Sequence, residues 1–174
     1  MREHIPELVV ITNVGQTHLR RMDVKTNLKD AGIALVRLAV GGVFVAHGAQ
    51  KLFLYGIPGV AGMLGQMGVP LPMLSAVAVT AAEFLGGLAL VAGLFTRWAA
   101  LPIAFSMLVA ALTVHLKGGF FLPAGVEYVL TLFAASVGLA LMGSGAFSID
   151  RLLERRQSAS PAVTRSVAPA VEVR

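Results

Sequence analysis

The sequence predicts an all-α integral membrane protein, a four-helix bundle with both termini in the cytoplasm. Three observations carry this reading. Of the 174 residues 56% are hydrophobic and only 13% charged, whereas a soluble domain carries about 25% charged residues. Apolar segments of helix length follow one another, separated by turns rich in Gly and Pro. The lysines and arginines sit at the segment ends and in both tails, as membrane topology requires. The net charge of +5 and the isoelectric point near 10.2 are therefore explained without nucleic acid as a partner. The chain has no cysteine, so it offers no disulfide, thiolate metal site or persulfide-carrying nucleophile. Sulfur redox chemistry would have to occur on another subunit or on a bound cofactor.

Residues 1–30 are polar and mixed in charge, and they read as a cytoplasmic leader with a short strand-like patch at Val9–Thr12. The patch is too short to span a membrane and lacks a following cleavage site, so it does not make a signal peptide. Residues 1–21 read either as sequence upstream of a true start at Met22 or as a poorly ordered tail. Ala31–Tyr55 is the first span, an apolar run interrupted by Arg37 and ending in His47, Gln50 and Lys51. In the Gly- and Pro-rich loop that follows, Val60, Met63, Leu64 and Met67 recur at helical spacing and predict a short interfacial or re-entrant helix.

The second span is expected over Met73–Leu94, with Pro72 in its first turn and Gly93 near its end. Arg97 and Trp98 mark the surface, and the third span runs over Ala99–Val114 or to Leu116 with Pro102 in its first turn. After a GGFFLPAG loop the fourth covers Val126–Met142, and GSGAFSID ends it. Ser148 and Asp150 suit the cap of a basic helix over Arg151–Arg156, placed along the anionic cytoplasmic leaflet. The membrane domain is thus 31–152 and the tail 153–174, disordered beyond Gln157 because it is built of Ser, Ala, Pro, Val and Thr.

An even number of spans puts both termini on one side, with Arg20, Arg21, Lys25, Lys29, Arg97, Arg151, Arg155 and Arg156; the other side holds Lys51 and Lys117. The positive-inside rule makes the richer side cytoplasmic, in a plasma or inner membrane.

RLAVGGVFVAHGAQKL in the first span, EFLGGLALVAGLFTR in the second, GGFF with EY before the fourth and GSGAFSID after it together resemble the DoxX family of small four-helix membrane proteins. The resemblance covers about Leu35 to Leu152. It implies a membrane component of a redox or stress-response system, because some members are, or accompany, membrane subunits of a thiosulfate:quinone oxidoreductase and others are linked to oxidative or electrophile stress. It also implies a quinone as bound ligand, an oxidoreductase as membrane or peripheral partner, and functional weight at Lys51 and Glu127. Two other readings stand beside it: a non-enzymatic subunit that organises a partner enzyme, and a small-solute permease or binding protein.

Two constellations carry chemistry. Arg37 and Glu83 lie inside spans, where a charge costs roughly 2.5–3.5 kcal/mol on insertion scales and normally finds a partner, so an Arg37–Glu83 pair, direct or bridged by water, is expected. It serves either as structural glue or as a site that holds a polar ligand group or relays a proton. Thr80, Gly86, Gly87 and Leu90 share the Glu83 face, and the small residues there favour close helix approach. Toward the outer surface, His47, Gln50 and Lys51 meet His115, Lys117 and Glu127 from other helix ends, a set suited to quinone carbonyls or a small anion. The plainer alternative is a snorkelling lysine and solvated imidazoles. His47 and His115 without a third ligand do not make a metal site, and no haem attachment motif is present. Ala78, Ala82 and Gly86 form a small-residue seam that suits either a homo-oligomer or packing within one bundle.

Overall fold

A computed structural model describes the backbone of residues 7–158 and the side chains of 27–157. Every regular element among the described residues is helical. Helix α1 (Glu7–Ala49) passes through a π turn (Gln50–Tyr55) into α2 (Gly56–Gln66); α3 spans Pro72–Ala92 and α4 spans Thr96–Ala110. A second π turn (Ala111–His115) and a short 3₁₀ turn follow α4, then α5 (Glu127–Met142) and α6 (Ile149–Ser158). Three stretches are long and apolar enough to cross a bilayer: Asn27–Gln66, Pro72–Ala92 and Thr96–Gly118. α5 has 16 residues, about 24 Å of helix, and is a shorter fourth member against a hydrocarbon core of roughly 30 Å.

Several boundaries differ from expectation. Val9–Thr12 is helical, because α1 runs unbroken from Glu7 to Ala49. The nearest proline, Pro6, precedes the helix, and the local β propensity of VVIT yields to the helix around it. α4 begins at Thr96, so Arg97 and Trp98 form its first turn and Pro102 falls in its interior. Residues 153–158 of the expected tail continue α6; the rest of that tail lies outside the described residues.

The helices bury one stripe each. Ile33, Arg37, Val40, Phe44 and Gly48 on α1, Ala76, Thr80, Glu83, Gly87 and Leu90 on α3, and Val129, Leu132, Ser136 and Leu139 on α5 recur at three- and four-residue steps. Large apolar side chains such as Leu35, Phe53, Leu85, Phe105 and Leu141 point outward. A soluble protein would hide them, whereas lipid solvates them. α1 packs on α3, α3 on α2 and α4, and α4 on α5, with α1 and α5 in contact to close the bundle.

Glycine sets how closely α1 and α3 approach. A Cβ on Gly48 would lie 2.5 Å from the Phe84 nitrogen, and one on Gly87 would lie 2.7 Å from the Val45 nitrogen. Gly86, one residue on, faces Ile103 of α4. Adjacent glycines thus serve two neighbours, and the Gly86 end of the seam is occupied within the bundle.

Candidate functional site

This close packing fixes the register, and the register decides which charges meet. Gly41 faces Gly87 and Val91, and Gly48 faces Phe84, so α1 and α3 are antiparallel with Lys51 level with Glu83. Arg37 lies eleven residues before Gly48, roughly 16 Å away along the helix, beside Gly93. The expected Arg37–Glu83 pair therefore does not form. Glu83 pairs instead with Lys51, whose Nζ lies 2.5 Å from Glu83 Oε2.

Glu83 is the twelfth residue of the 21-residue α3, near mid-membrane by length, and its side chain is only 3% exposed against 22% for Lys51. The lysine is the rim of the site and the carboxylate its floor. Neither group has its capacity filled: an ammonium carries three donors, of which one goes to Glu83. Among the described residues Glu83 Oε1 has no hydrogen-bond partner. One turn away on the same face, the buried Thr80 hydroxyl is also without a partner. On α5 the buried Ser136 hydroxyl shares that condition. Gly143 faces Arg97 while Gly86 faces Ile103 and Ala99, so the antiparallel register puts Ser136 at about the depth of Glu83. Thr80 and Ser136 thus bring two unpartnered hydroxyls to about the depth of Glu83, and the other two buried unpartnered atoms among the described residues, Arg37 Nε and Thr96 Oγ1, lie at the opposite end of the bundle; each such group costs roughly 1–3 kcal/mol if left alone.

Arg37 belongs to a second centre at the opposite end. It is 3% exposed; Nη1 donates to the Ser144 carbonyl at 2.6 Å and Nη2 to the Phe147 carbonyl at 2.5 Å. Gly143 and Gly145 hold positive φ there, bending the loop so that its carbonyls turn to the guanidinium. Asp150 is the carboxylate whose charge faces Arg37 at longer range. Its oxygens accept the Phe95 N–H at 2.9 Å and the Thr96 N–H at 3.4 Å, capping α4 rather than the helix it opens. Phe95 has φ 47°, a left-handed conformation that costs a non-glycine residue about 1–2 kcal/mol, and the Asp150 contact offsets it. Ser148 caps α6 as expected, accepting the Arg151 N–H at 3.3 Å.

Here a guanidinium bonded to two carbonyls ties α1 to the α5–α6 loop. Arg37→Lys supplies a point charge in place of the two-pronged donor. It is expected to lower stability by on the order of 2 kcal/mol, seen as a lower midpoint in thermal unfolding of the protein in nanodiscs. An unchanged midpoint would contradict the assignment.

Among the described residues no member of the outer constellation hydrogen-bonds another. His47 is exposed on α1, Gln50 in the π turn after it and Lys117 in the loop, while His115 is half-buried with Nδ1 3.2 Å from the Ala110 carbonyl. Glu127 accepts the Leu122 N–H at 2.7 Å and orders the loop before α5. Lys51 alone of the set reaches the interior. The sequence signal for this was the α1 stripe itself, since Phe44, Gly48 and Lys51 continue its four- and three-residue steps. Ser136 and Asp150 were not anticipated in these roles; a lone serine in the apolar stripe of α5 was the available sign of the first.

Comparison with known proteins agrees with this architecture. The family model described as DoxX matches residues 32–116. CatD of Bacillus subtilis, provisionally named an oxidoreductase, is 34% identical over 121 residues, covering 70% of this chain and 86% of CatD. The inner membrane protein YqjF of Escherichia coli is 34% identical over 134 residues, covering 74% of this chain and 97% of YqjF. An uncharacterised membrane protein of Mycobacterium tuberculosis, Rv3486, is 31% identical over 141 residues, 73% of this chain and 84% of its own. No solved structure matches. With a helical bundle of lipid-facing apolar surfaces, the family match over its first three spans and relatives covered nearly end to end, the chain belongs to the DoxX family of membrane proteins.

Proposed function

We propose that this protein is a quinone-interacting membrane component of a redox or stress-response system, and that the Lys51–Glu83 pair receives the quinone head group. The observation that carries the reading is an ion pair inside an apolar bundle with donor and acceptor capacity unused. The residues fit such a ligand. Lys51 has N–H groups left for a carbonyl oxygen, Thr80 has an unpartnered hydroxyl, and Glu83 Oε1 is an acceptor for a hydroxyl of the reduced form. Burial of Glu83 in the apolar bundle limits water at the carboxylate and strengthens its hydrogen bonds. A bound quinone would supply two-electron, two-proton chemistry. The chain's own part is to orient the head group through Lys51 and to hold or take a proton at Glu83 Oε1.

With no cysteine in the chain, electrons are exchanged with an oxidoreductase partner, a role consistent with the provisional name of CatD. Both termini lie on the cytoplasmic side, as the lysine and arginine asymmetry favours. The Lys51 end then faces outward.

The test is the quinone content of protein purified in mild detergent, measured by extraction and native mass spectrometry. Wild type is expected to carry quinone and Glu83→Gln, which preserves shape, to carry roughly tenfold less, in keeping with the loss of a charge-assisted hydrogen bond. Arg37→Lys is expected to retain it. Quinone-free wild type, or equal content in Glu83→Gln, would overturn the reading and leave a non-enzymatic structural subunit.

A further inference from the structure

At the end of the bundle opposite the Lys51–Glu83 site, α6 presents an apolar face that is left uncovered among the described residues. Ile149, Leu152 and Leu153 recur at steps of three and four and are 39%, 58% and 43% exposed. Beyond its first turn α6 packs extensively against no other helix among the described residues. Arg156 continues this stripe one turn further on and Arg155 flanks it, both exposed, while Arg151 is paired with Glu154 at 2.8 Å.

The position of α6 is fixed. The Asp150 N–H donates to the Gly93 carbonyl at 3.1 Å and the Asp150 carboxylate holds the first amides of α4. Gly93 ends α3 and Thr96 begins α4, so the first turn of α6 is hydrogen-bonded to the ends of two membrane-spanning helices. Phe95 and Trp98, both largely exposed, stand at the same level, which is where aromatic side chains favour the headgroup region. A helix starting there continues the lipid-facing surface of the bundle.

We infer that α6 is an interfacial helix that lies in the surface of the bilayer holding the bundle, with Ile149, Leu152 and Leu153 in the acyl boundary and Arg155 and Arg156 on the headgroups of anionic phospholipid. Amphipathic helices of this kind gain both from apolar burial and from cation–headgroup attraction. The Asp150 and Ser148 contacts hold α6 at that depth, so anionic lipid bound there bears on the α3–α4 turn and, through the Arg37-bonded loop, on α1.

The absence of cysteine allows a clean test. Full-length protein carrying Leu152→Cys is labelled with an environment-sensitive fluorophore and reconstituted in phosphatidylglycerol or phosphatidylcholine vesicles. In phosphatidylglycerol the probe is expected to emit as a membrane-buried group and to be quenched by lipids bearing a nitroxide near the headgroup. Adding Arg155→Glu and Arg156→Glu, both at exposed positions, should reduce quenching by nitroxide-labelled phosphatidylglycerol present as a minor lipid in phosphatidylcholine vesicles, because the affinity for that lipid falls at least about fivefold, the factor expected from even one lost cation–lipid contact. Emission from a water-exposed probe in phosphatidylglycerol would overturn the inference and assign the face to a protein partner. Quenching unaffected by the charge reversal would overturn the anionic-lipid assignment.

Discussion

Lys51→Met is expected to destabilise the protein by about 3–5 kcal/mol, the usual cost of removing one partner of a buried ion pair and stranding the other. The two partners are not equivalent. Glu83 is nearly inaccessible while Lys51 sits at the rim, so the lysine variant leaves a nearly buried carboxylate without its counter-charge. Glu83→Leu leaves an ammonium on a flexible stem that can turn toward the surface, and it should cost clearly less. The double variant Lys51→Met with Glu83→Leu removes both charges and is expected to recover most of the loss, since well-packed apolar replacements of buried pairs are often neutral or stabilising. Unfolding midpoints of the four proteins in nanodiscs give the coupling directly. Independent effects of the two substitutions would show that the charges do not meet.

Gly48→Ala is the second large effect. The added methyl would meet the Phe84 backbone, at 2.5 Å from its nitrogen and 2.6 Å from its Cα, and backbone within a helix cannot step aside as a side-chain tip can. α1 and α3 must separate or slide, at a cost of roughly 1–3 kcal/mol or more. The slide also separates Lys51 from Glu83, three residues further on. Gly42→Ala is the control on the same helix: nothing lies within 4 Å of its added methyl, so the better helix propensity of alanine should leave it neutral or stabilise it by about 0.5–1 kcal/mol. Monodisperse yield in size-exclusion chromatography separates the two. Equal yields would contradict the close α1–α3 crossing.

The spans were legible in the sequence because lipid demands long apolar runs, and their ends are written in Pro72, Gly93 and Gly143. Gly93 has φ 68° and its N–H reaches back to the Leu90 carbonyl, as its place at the end of α3 suggested. Pairing of the intramembrane charges was not legible in the same way. Arg37 and Glu83 overlap in depth if each helix is placed by hydropathy alone, since an apolar run can slide along the bilayer normal with little change in hydropathy. What removes that freedom is the fit of Gly41 and Gly48 against Gly87 and Phe84, a matter of ångström-scale shape between segments far apart in sequence. Asp150 shows the same limit: local spacing points to the helix it opens, and only tertiary packing brings it to the start of α4. His47, His115 and Glu127 share an end of the bundle without hydrogen-bonding one another, with His47 exposed and Glu127 bonded to its own loop.

The central claim, that Lys51 and Glu83 form the head-group site, is tested most directly by infrared difference spectroscopy of a quinone labelled at its carbonyl carbons and added to the protein in nanodiscs. Binding at Lys51 predicts a downshifted carbonyl band in wild type that returns to the position of the free quinone in the folded Lys51→Met, Glu83→Leu double variant. A carbonyl band that is unshifted in wild type, or shifted equally in both proteins, would contradict it.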